Sequence, residues 1–197
     1  MLLLMERRPS TERRSCGAGY ASRMAPVDGL RSPEANLTAR QRERNAWTAD
    51  LLDYESGRIG FPVLDRDAIR ALLASKPRIA IVGASPNPTR PSHGVLVDLV
   101  GLGYDVVPVN PTATEVAGLA CYPSLGAAVE ATGPVDLVDV FRLPPACPEH
   151  AREAVEVGAS CLWLQLGIAS REAGRIAHEA GLTVVMNRCL AIEAMRG

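Results

Sequence analysis

The chain has 197 residues and a formal net charge of −1; 47% of its residues are hydrophobic and 4% are aromatic. This length suits one domain with an additional segment, and the near-neutral charge argues against a general nucleic-acid-binding protein, which would carry a strong basic excess. No apolar run reaches the ~18 residues of a membrane span. The 5 cysteines are scattered, odd in number and without a CxxC pair. They predict a reducing, cytoplasmic location without disulfides or zinc.

The N-terminal part of the chain differs in composition from the rest. Residues 1–45 are rich in Arg, Ser, Pro, Gly and Glu and show no sustained period of 2 or 3.6, which predicts a disordered extension. Residues 46–76 predict a short helical lead-in, in which Asp65 caps a helix over Arg66–Ala74. The main domain is predicted to span residues 77–197.

Five short apolar runs follow Pro77, each rich in β-branched residues and bounded by turn residues, as is typical of buried parallel strands. They cover residues 78–82, 104–109, 135–141, 161–166 and 182–186. Helical patterns lie between them, so we expect right-handed βαβ units in a Rossmann-like, doubly wound α/β sheet of three layers. The expected strand order is 3-2-1-4-5, although Pro108 lacks an N–H and suits the centre of a sheet poorly.

Ligands of such sheets bind beyond the carboxyl ends of the strands, so the residues there are the candidate site. After the first strand, Gly83 permits close backbone approach and Arg90 offers a bidentate guanidinium. Pro91 suits the first turn of a helix whose free amides attract phosphate. The full set in this loop is Gly83, Ala84, Ser85, Asn87 and Arg90. The alternative is an ordinary turn with a solvated arginine.

The second strand ends at Val109, Asn110 and Pro111. A NAD-binding domain would place an acidic residue near this point to hold the ribose hydroxyls, and the first one, Glu115, comes several residues later. The pattern therefore argues against NAD. An Asn-Pro turn without a ligand role is the alternative.

The remaining strands also end in polar residues or glycine. The third delivers Phe141 and Arg142, which suit an adenine and a phosphate. The fourth delivers Gln165 and Gly167, and Cys189 follows the fifth. The alternative for each residue is an ordinary position in the core or on the surface. For Cys189 in particular, the alternative is a small, buried hydrophobic residue. Their common location at one edge of the sheet favours a ligand crevice.

Catalytic patterns are missing from the sequence. No GxSxG elbow and no Ser-His-Asp order is present, and no cluster has the spacing of metal ligands. All three histidines lie in helical patterns, with His93 close to the phosphate loop. The sequence therefore predicts a protein that is not an enzyme, with neither catalytic nor metal-binding residues.

Seven segments occur in an order and spacing that resemble a known family over about 120 residues. They are IVGAS (81–85), NPTRPS (87–92), GYDVVPVNP (103–111), CYPSL (121–125), VDLVDVFR (135–142), WLQLG (163–167) and VVMNRC (184–189). Together they resemble the stand-alone CoA-binding domains, small bacterial proteins similar to the nucleotide domain of the succinyl-CoA synthetase α subunit. One departure is Asn187, where the family usually has Asp.

The resemblance implies that CoA is the ligand. It places the pyrophosphate at Gly83–Ser85 and the adenosine with its 3′-phosphate near Val109–Pro111, Phe141 and Arg142. The chain has no room for the phosphorylated histidine domain of the synthetase, so it resembles a non-catalytic module that binds CoA or an acyl-CoA as sensor, carrier or regulator. The expected partner is this small nucleotide, with no nucleic acid and no membrane. The sequence leaves open whether the chain forms a homo-oligomer. The alternatives are an NAD(P)-dependent oxidoreductase and a ligand-free interaction subunit.

Overall fold

The computed structural model describes residues 38–196, in which helices and strands alternate. The predicted strands and the helix Arg66–Ala74 are all present, the strands shortened by one or more residues. In chain order the elements are α1 (Ala39–Glu55), α2 (Arg66–Ala74), β1 (Ile79–Val82), α3 (Pro91–Gly101), β2 (Val106–Val109), β3 (Glu115–Val116), β4 (Leu119–Ala120), α4 (Leu125–Thr132), β5 (Leu137–Val140), α5 (Cys147–Glu156), β6 (Cys161–Leu164), α6 (Arg171–Glu179), β7 (Thr183–Val185) and α7 (Leu190–Met195). The Rossmann-like α/β fold class is confirmed.

The order of the strands differs from the prediction. The five parallel strands run β2-β1-β5-β6-β7, so the third strand of the sheet, β5, pairs with β1 rather than with β2. This order puts Pro108 on an edge strand. Its carbonyl points away from β1 and accepts the N–H of Tyr122 at 3.1 Å, so its missing donor costs no ladder hydrogen bond. The predicted order 3-2-1-4-5 differs from the observed 2-1-3-4-5 in the place of the third strand, and it would have put this proline at an inner position.

Both faces of the sheet are covered by helices. In β1, Ala80 and Val82 face the core under α4, α5 and α6, whereas Ile79 and Ile81 face the core under α2, α3 and α7. All four side chains are buried. Burial on both faces explains why the strands read as continuous apolar runs rather than as alternating ones.

The helix α1 begins earlier than the sequence indicated. Thr38 caps it, with the Gln41 N–H donating to its hydroxyl at 3.2 Å, so the predicted disordered extension is wrong for residues 39–45. Residues 1–37 of that extension lie outside the described residues. The segment after α1 continues into α2, whose predicted cap is confirmed: the Ala68 N–H donates to the Asp65 carboxylate at 2.8 Å.

Acidic side chains of α1 fasten it to the main domain. The Arg171 N–H donates to Asp50 at 2.8 Å, and the Arg171 guanidinium bonds Asp53 and the Ile59 carbonyl. Tyr54 packs into the core on the same side. The lead-in is therefore part of the folded unit. Within residues 38–196, no helix combines the length and apolarity that crossing a membrane requires.

Candidate functional site

Three neighbouring cavities lie along the edge of the sheet where the strands end. A polar cavity of about 340 Å³ lies between the loop after β1 and the end of β5. A larger apolar cavity of about 550 Å³ lies beyond β5 and β6, and a small one of about 100 Å³ lies beside β2. Arg142 lines all three. They form one crevice at the place where parallel α/β sheets bind ligands.

The predicted site residues are distributed over these cavities. Gly83, Ser85, Arg90, Asn110, Phe141 and Arg142 line the polar cavity. Gln165, Gly167 and Cys189 line the apolar cavity, and Val109 and Pro111 line the small one. Two predicted residues line none of the three: Ala84 is fully buried in the core, and Asn87 lies exposed on the loop.

Gly83 lets the first loop turn across the end of β5. Its φ is +87°, and a Cβ at this position would lie 2.7 Å from the Phe141 carbonyl oxygen and 3.1 Å from Arg142 Cδ. Glycine is therefore needed because the backbone of β5 approaches, and not because a ligand does. The close approach brings the loop after β1 beside Arg142.

The backbone amides of the loop are only partly available to a ligand. The N–H groups of Gly83 and Ala84 both donate to the Val109 carbonyl, at 2.9 and 3.3 Å. Within residues 38–196, no acceptor reaches the N–H of Ser85 or of Ser92 in the first turn of α3. Of the expected Gly83–Ser85 cradle, only the Ser85 amide is therefore free to bind an anion, and Ser92 adds a second.

Polar side chains of the loop hold its own conformation. The Asn87 N–H donates to the Ser85 hydroxyl at 3.2 Å, and the Thr89 N–H and hydroxyl donate to Asn87 Oδ1 at 3.0 and 2.9 Å. His93 Nδ1 lies 3.0 Å from the Ser85 carbonyl, which can only accept, so this nitrogen carries the proton. The loop is preorganised before a ligand arrives.

Asn110, at the end of β2, fixes the loop from the other side. Its Nδ2 donates to the Ala84 carbonyl at 2.6 Å, and its Oδ1 accepts the N–H and hydroxyl of Thr112, each at 2.9 Å. The side chain is thus engaged within the protein. Asn110 therefore supports the wall of the polar cavity, and both polar atoms of its side chain are already engaged within the protein.

The two arginines of the polar cavity are without partners among the described residues. Neither the Arg90 nor the Arg142 guanidinium makes a hydrogen bond or a salt bridge there, and both side chains are exposed. None of the described residues that line this cavity is acidic. Two unpaired guanidinium groups, the free amides of Ser85 and Ser92 and the N-terminus of α3 make the cavity suited to a phosphorylated ligand.

One wall of the apolar cavity comes from α1 and was not predicted from the sequence. Trp47 of α1 lines it, together with Val95, Ile168 and Ile192. The helical pattern around residue 47 was visible in the sequence, but nothing in it indicated which face met the strand ends. The cavity therefore combines residues of the main domain with a residue of the lead-in.

Cys189 is half-buried on this cavity, whereas Cys121, Cys147 and Cys161 are buried. Burial raises the pKa of Cys147 and Cys161 to about 12, so neither forms a thiolate near neutral pH. Among these four cysteines, N-ethylmaleimide should label Cys189 first, and CoA should slow that labelling at least severalfold. Peptide mass mapping over time measures both effects. Equal labelling of Cys189 and Cys147 would contradict the accessibility of the cavity.

A buried carboxyl lies beneath the crevice. Asp139 of β5 is completely buried, and Gln165 Nε2 donates to its two carboxyl oxygens at 3.0 and 2.8 Å. Burial raises the pKa of Asp139 to about 8, and the Gln165 amide opposes this only in part. Sequence reasoning assigned no role to Asp139. The pair fixes the Gln165 side chain at the floor of the apolar cavity.

Asn187 stands where the family resemblance leads us to expect Asp, and its contacts favour the amide. Its φ is +50°, a conformation that asparagine tolerates better than most residues. Its Oδ1 accepts the Gly167 N–H at 2.7 Å, and its Nδ2 donates to Glu55 of α1 at 2.8 Å. An aspartate would keep the first contact and repel Glu55. Asparagine therefore suits a chain that carries α1 at this place.

Comparison with known proteins identifies the family of the main domain. The CoA binding domain family matches residues 77–195. The uncharacterized protein YneT of Bacillus subtilis is 39% identical over 124 residues, which cover 63% of this chain and 90% of YneT. An acetate–CoA ligase (ADP-forming) of Archaeoglobus fulgidus is 30% identical over 124 residues, but these span only 18% of that enzyme.

Solved structures show the same fold. A hypothetical protein from Pyrococcus horikoshii superposes with a TM-score of 0.64 at 41% identity, covering 68% of this chain and 92% of that one. The structure called cell-free ID.343 from Thermus thermophilus superposes with a TM-score of 0.62 at 38% identity, covering 68% and 98%. The family match, residues 77–195, does not include α1 with Trp47. From residue 77 onward, this chain belongs to the CoA binding domain family.

Proposed function

We propose that the chain binds CoA or an acyl-CoA in the crevice at the carboxyl edge of the sheet. In this proposal it acts as a non-catalytic module, a sensor, carrier or regulator. CoA carries a pyrophosphate and a 3′-phosphate at one end and a long, uncharged arm with a thiol at the other. A ligand of this kind needs a cationic subsite joined to an apolar one.

The observation that carries the proposal is the junction of these two subsites at Phe141 and Arg142. Both residues line the polar cavity with its two unpaired guanidinium groups, and both line the apolar cavity. Arg90 and Arg142 are suited to the phosphates, as are the amides of Ser85 and Ser92. The arm would then run past Phe141 toward Gln165, Gly167 and Cys189.

The bonding of the loop supports a binding role rather than catalysis. In the loop after β1 and the first turn of α3, the side chains that are able to act as nucleophile or base include Ser85 and His93. Ser85 accepts from the Asn87 N–H, and His93 Nδ1 lies against the Ser85 carbonyl. They are used to shape the loop, which is what a preorganised binding site requires.

Isothermal titration calorimetry with CoA, 3′-dephospho-CoA and NAD on one sample tests the proposal. We expect saturable CoA binding that weakens when the 3′-phosphate is removed, and no comparable binding of NAD. Tighter binding of NAD than of CoA would favour an oxidoreductase on the same fold. Absence of heat with all three ligands would refute nucleotide binding and leave an interaction subunit.

Replacing Arg142 with alanine is expected to weaken CoA binding about tenfold to one-hundredfold. A hydrogen bond to a charged group contributes roughly 1.5–3 kcal/mol, and 1.4 kcal/mol corresponds to a factor of ten. Arg175→Ala is the matched control, since Arg175 is an exposed arginine of α6 that pairs with Glu179 away from the crevice. Equal affinities of the two variants would exclude Arg142 from the phosphate subsite.

A further inference from the structure

The apolar cavity is lined almost entirely by uncharged side chains. Its volume of about 550 Å³ lies within the range of small-molecule sites. Arg142 is its only charged lining residue among those described. At its rim Leu143, Leu166 and Ile192 are exposed to 70%, 63% and 45%. Such a cluster of exposed apolar side chains indicates a binding surface for an apolar group.

The cavity is continuous with the polar subsite. Pro91, Phe141 and Arg142 line both, so a group attached to the far end of a CoA arm enters the apolar cavity while the phosphates stay at the arginines. This continuity identifies the occupant as part of the same ligand rather than as a separate molecule.

The wall formed by α1 is held rigidly. Arg171 bonds both Asp50 and Asp53, and Asn187 Nδ2 donates to Glu55 at 2.8 Å. These contacts lie on the same helix as Trp47, and they join it to the first residue of α6 and to the segment after β7. Trp47 therefore forms a fixed wall, and it comes from a helix that the matched family region, residues 77–195, does not include.

The floor of the cavity holds an unused acceptor. Gln165 is only 4% exposed, and its Nε2 is bound to Asp139. Within the described part of the chain, no donor reaches Gln165 Oε1, and the residue lines the cavity. This oxygen keeps contact with solvent and is not buried without a partner. The amide N–H groups of a pantetheine arm are donors of the right type.

We infer that the apolar cavity binds the acyl group of an acyl-CoA, an uncharged aliphatic chain of medium length. Trp47 sets the length and shape that are accepted. This inference rests on the proposed function, because the acyl group reaches the cavity only when the CoA portion occupies the crevice. Gln165 Oε1 accepts an amide N–H of the arm and so aligns the thioester with the cavity.

Calorimetry of the full chain with CoA and with acetyl-, butyryl-, hexanoyl- and octanoyl-CoA tests the inference. We expect the affinity to rise about threefold to fourfold for each methylene that is fully buried. Trp emission should also shift to shorter wavelength with octanoyl-CoA and less with CoA. Trp163 is completely buried, so the change should disappear in Trp47→Phe.

Two variants and a control locate the effect. Trp47→Ala should lower the ratio of octanoyl-CoA to CoA affinity at least tenfold, and Ile192→Trp should lower it by filling the cavity from an exposed position. Leu52→Ala should leave the ratio unchanged, because Leu52 is an apolar residue of α1, 60% exposed, that does not line the cavity. Circular dichroism verifies the folding of each variant.

The outcomes separate the inference from the proposed function. CoA binding with equal or weaker binding of every thioester overturns the acyl site and leaves the CoA site intact. Affinity that rises with chain length equally in the wild type and in both cavity variants also overturns it, because the chain would then bind elsewhere. Loss of binding for CoA and for all thioesters refutes the proposed function and the inference together.

Discussion

Replacing Gly83 with alanine is expected to destabilise the protein by about 2–6 kcal/mol and to abolish CoA binding. The left-handed backbone at Gly83, with φ of +87°, costs a residue with a Cβ about 1–3 kcal/mol. The new methyl group would also lie 2.7 Å from the Phe141 carbonyl oxygen, which is backbone and cannot rotate away. Forced overpacking of this kind adds about 1–3 kcal/mol.

Gly103→Ala provides a matched control for the backbone strain alone. Gly103 has a similar φ of +78°, and a Cβ there would meet no atom within 4 Å. Urea unfolding should therefore show a loss of about 1 kcal/mol for Gly103→Ala, at the low end of the cost of strain. Equal losses for the two variants would show that the approach of Phe141 is not tight in solution. Calorimetry with CoA on the same samples measures the functional loss.

Asp139→Asn is expected to remove a strong dependence of stability on pH. The buried carboxyl has a pKa of about 8 in the folded protein, against 3.8 as its ordinary value. Between these values the folded state holds a proton that the unfolded state has released. The free energy of unfolding therefore falls as pH rises, by about 1.4 kcal/mol per pH unit. The stability from this group is complete below pH ~4 and is lost progressively up to pH ~8.

The substitution keeps the hydrogen bond, since an asparagine oxygen at this position still accepts from Gln165 Nε2. Relative to Asp139→Asn, the wild type should lose about 3 kcal/mol between pH 5 and pH 7, seen as a difference in melting temperature on the order of 10 °C. Asp98→Asn, an exposed position on α3, should follow the wild type. Parallel pH profiles for the wild type and Asp139→Asn would show that Asp139 is ionised in the folded protein.

The local pattern was sufficient for most of the elements. The strand beginning at Ile79 was visible as a short β-branched run bounded by turn residues, and α2 was visible from Asp65 and the apolar spacing behind it. These features depend on neighbours a few residues away, so a single sequence contains them. The short hairpin of β3 and β4 was missed because each strand has only two residues, too few to show a period.

The candidate site was predictable to the extent that it follows from topology. Parallel strands end at one edge, so Gly83, Arg142 and Gln165 had to lie near one another. Their individual roles were not predictable. Ala84 turns into the core, Asn87 bonds within its own loop, and Asn110 supports the Ala84 carbonyl. These outcomes depend on side-chain directions in a turn, which the order of residues does not specify.

The sequence by itself determined the alternation of strands and helices, the edge at which the candidate site lies and the family from residue 77 onward. Only the tertiary structure decided the strand order, the pairing of Asp139 with Gln165 and the position of Trp47 on the apolar cavity. The physical reason is the distance along the chain over which each kind of interaction acts. Propensity, capping and periodicity act between near neighbours, whereas strand order, burial of a carboxyl and the docking of α1 depend on contacts between residues up to 132 positions apart.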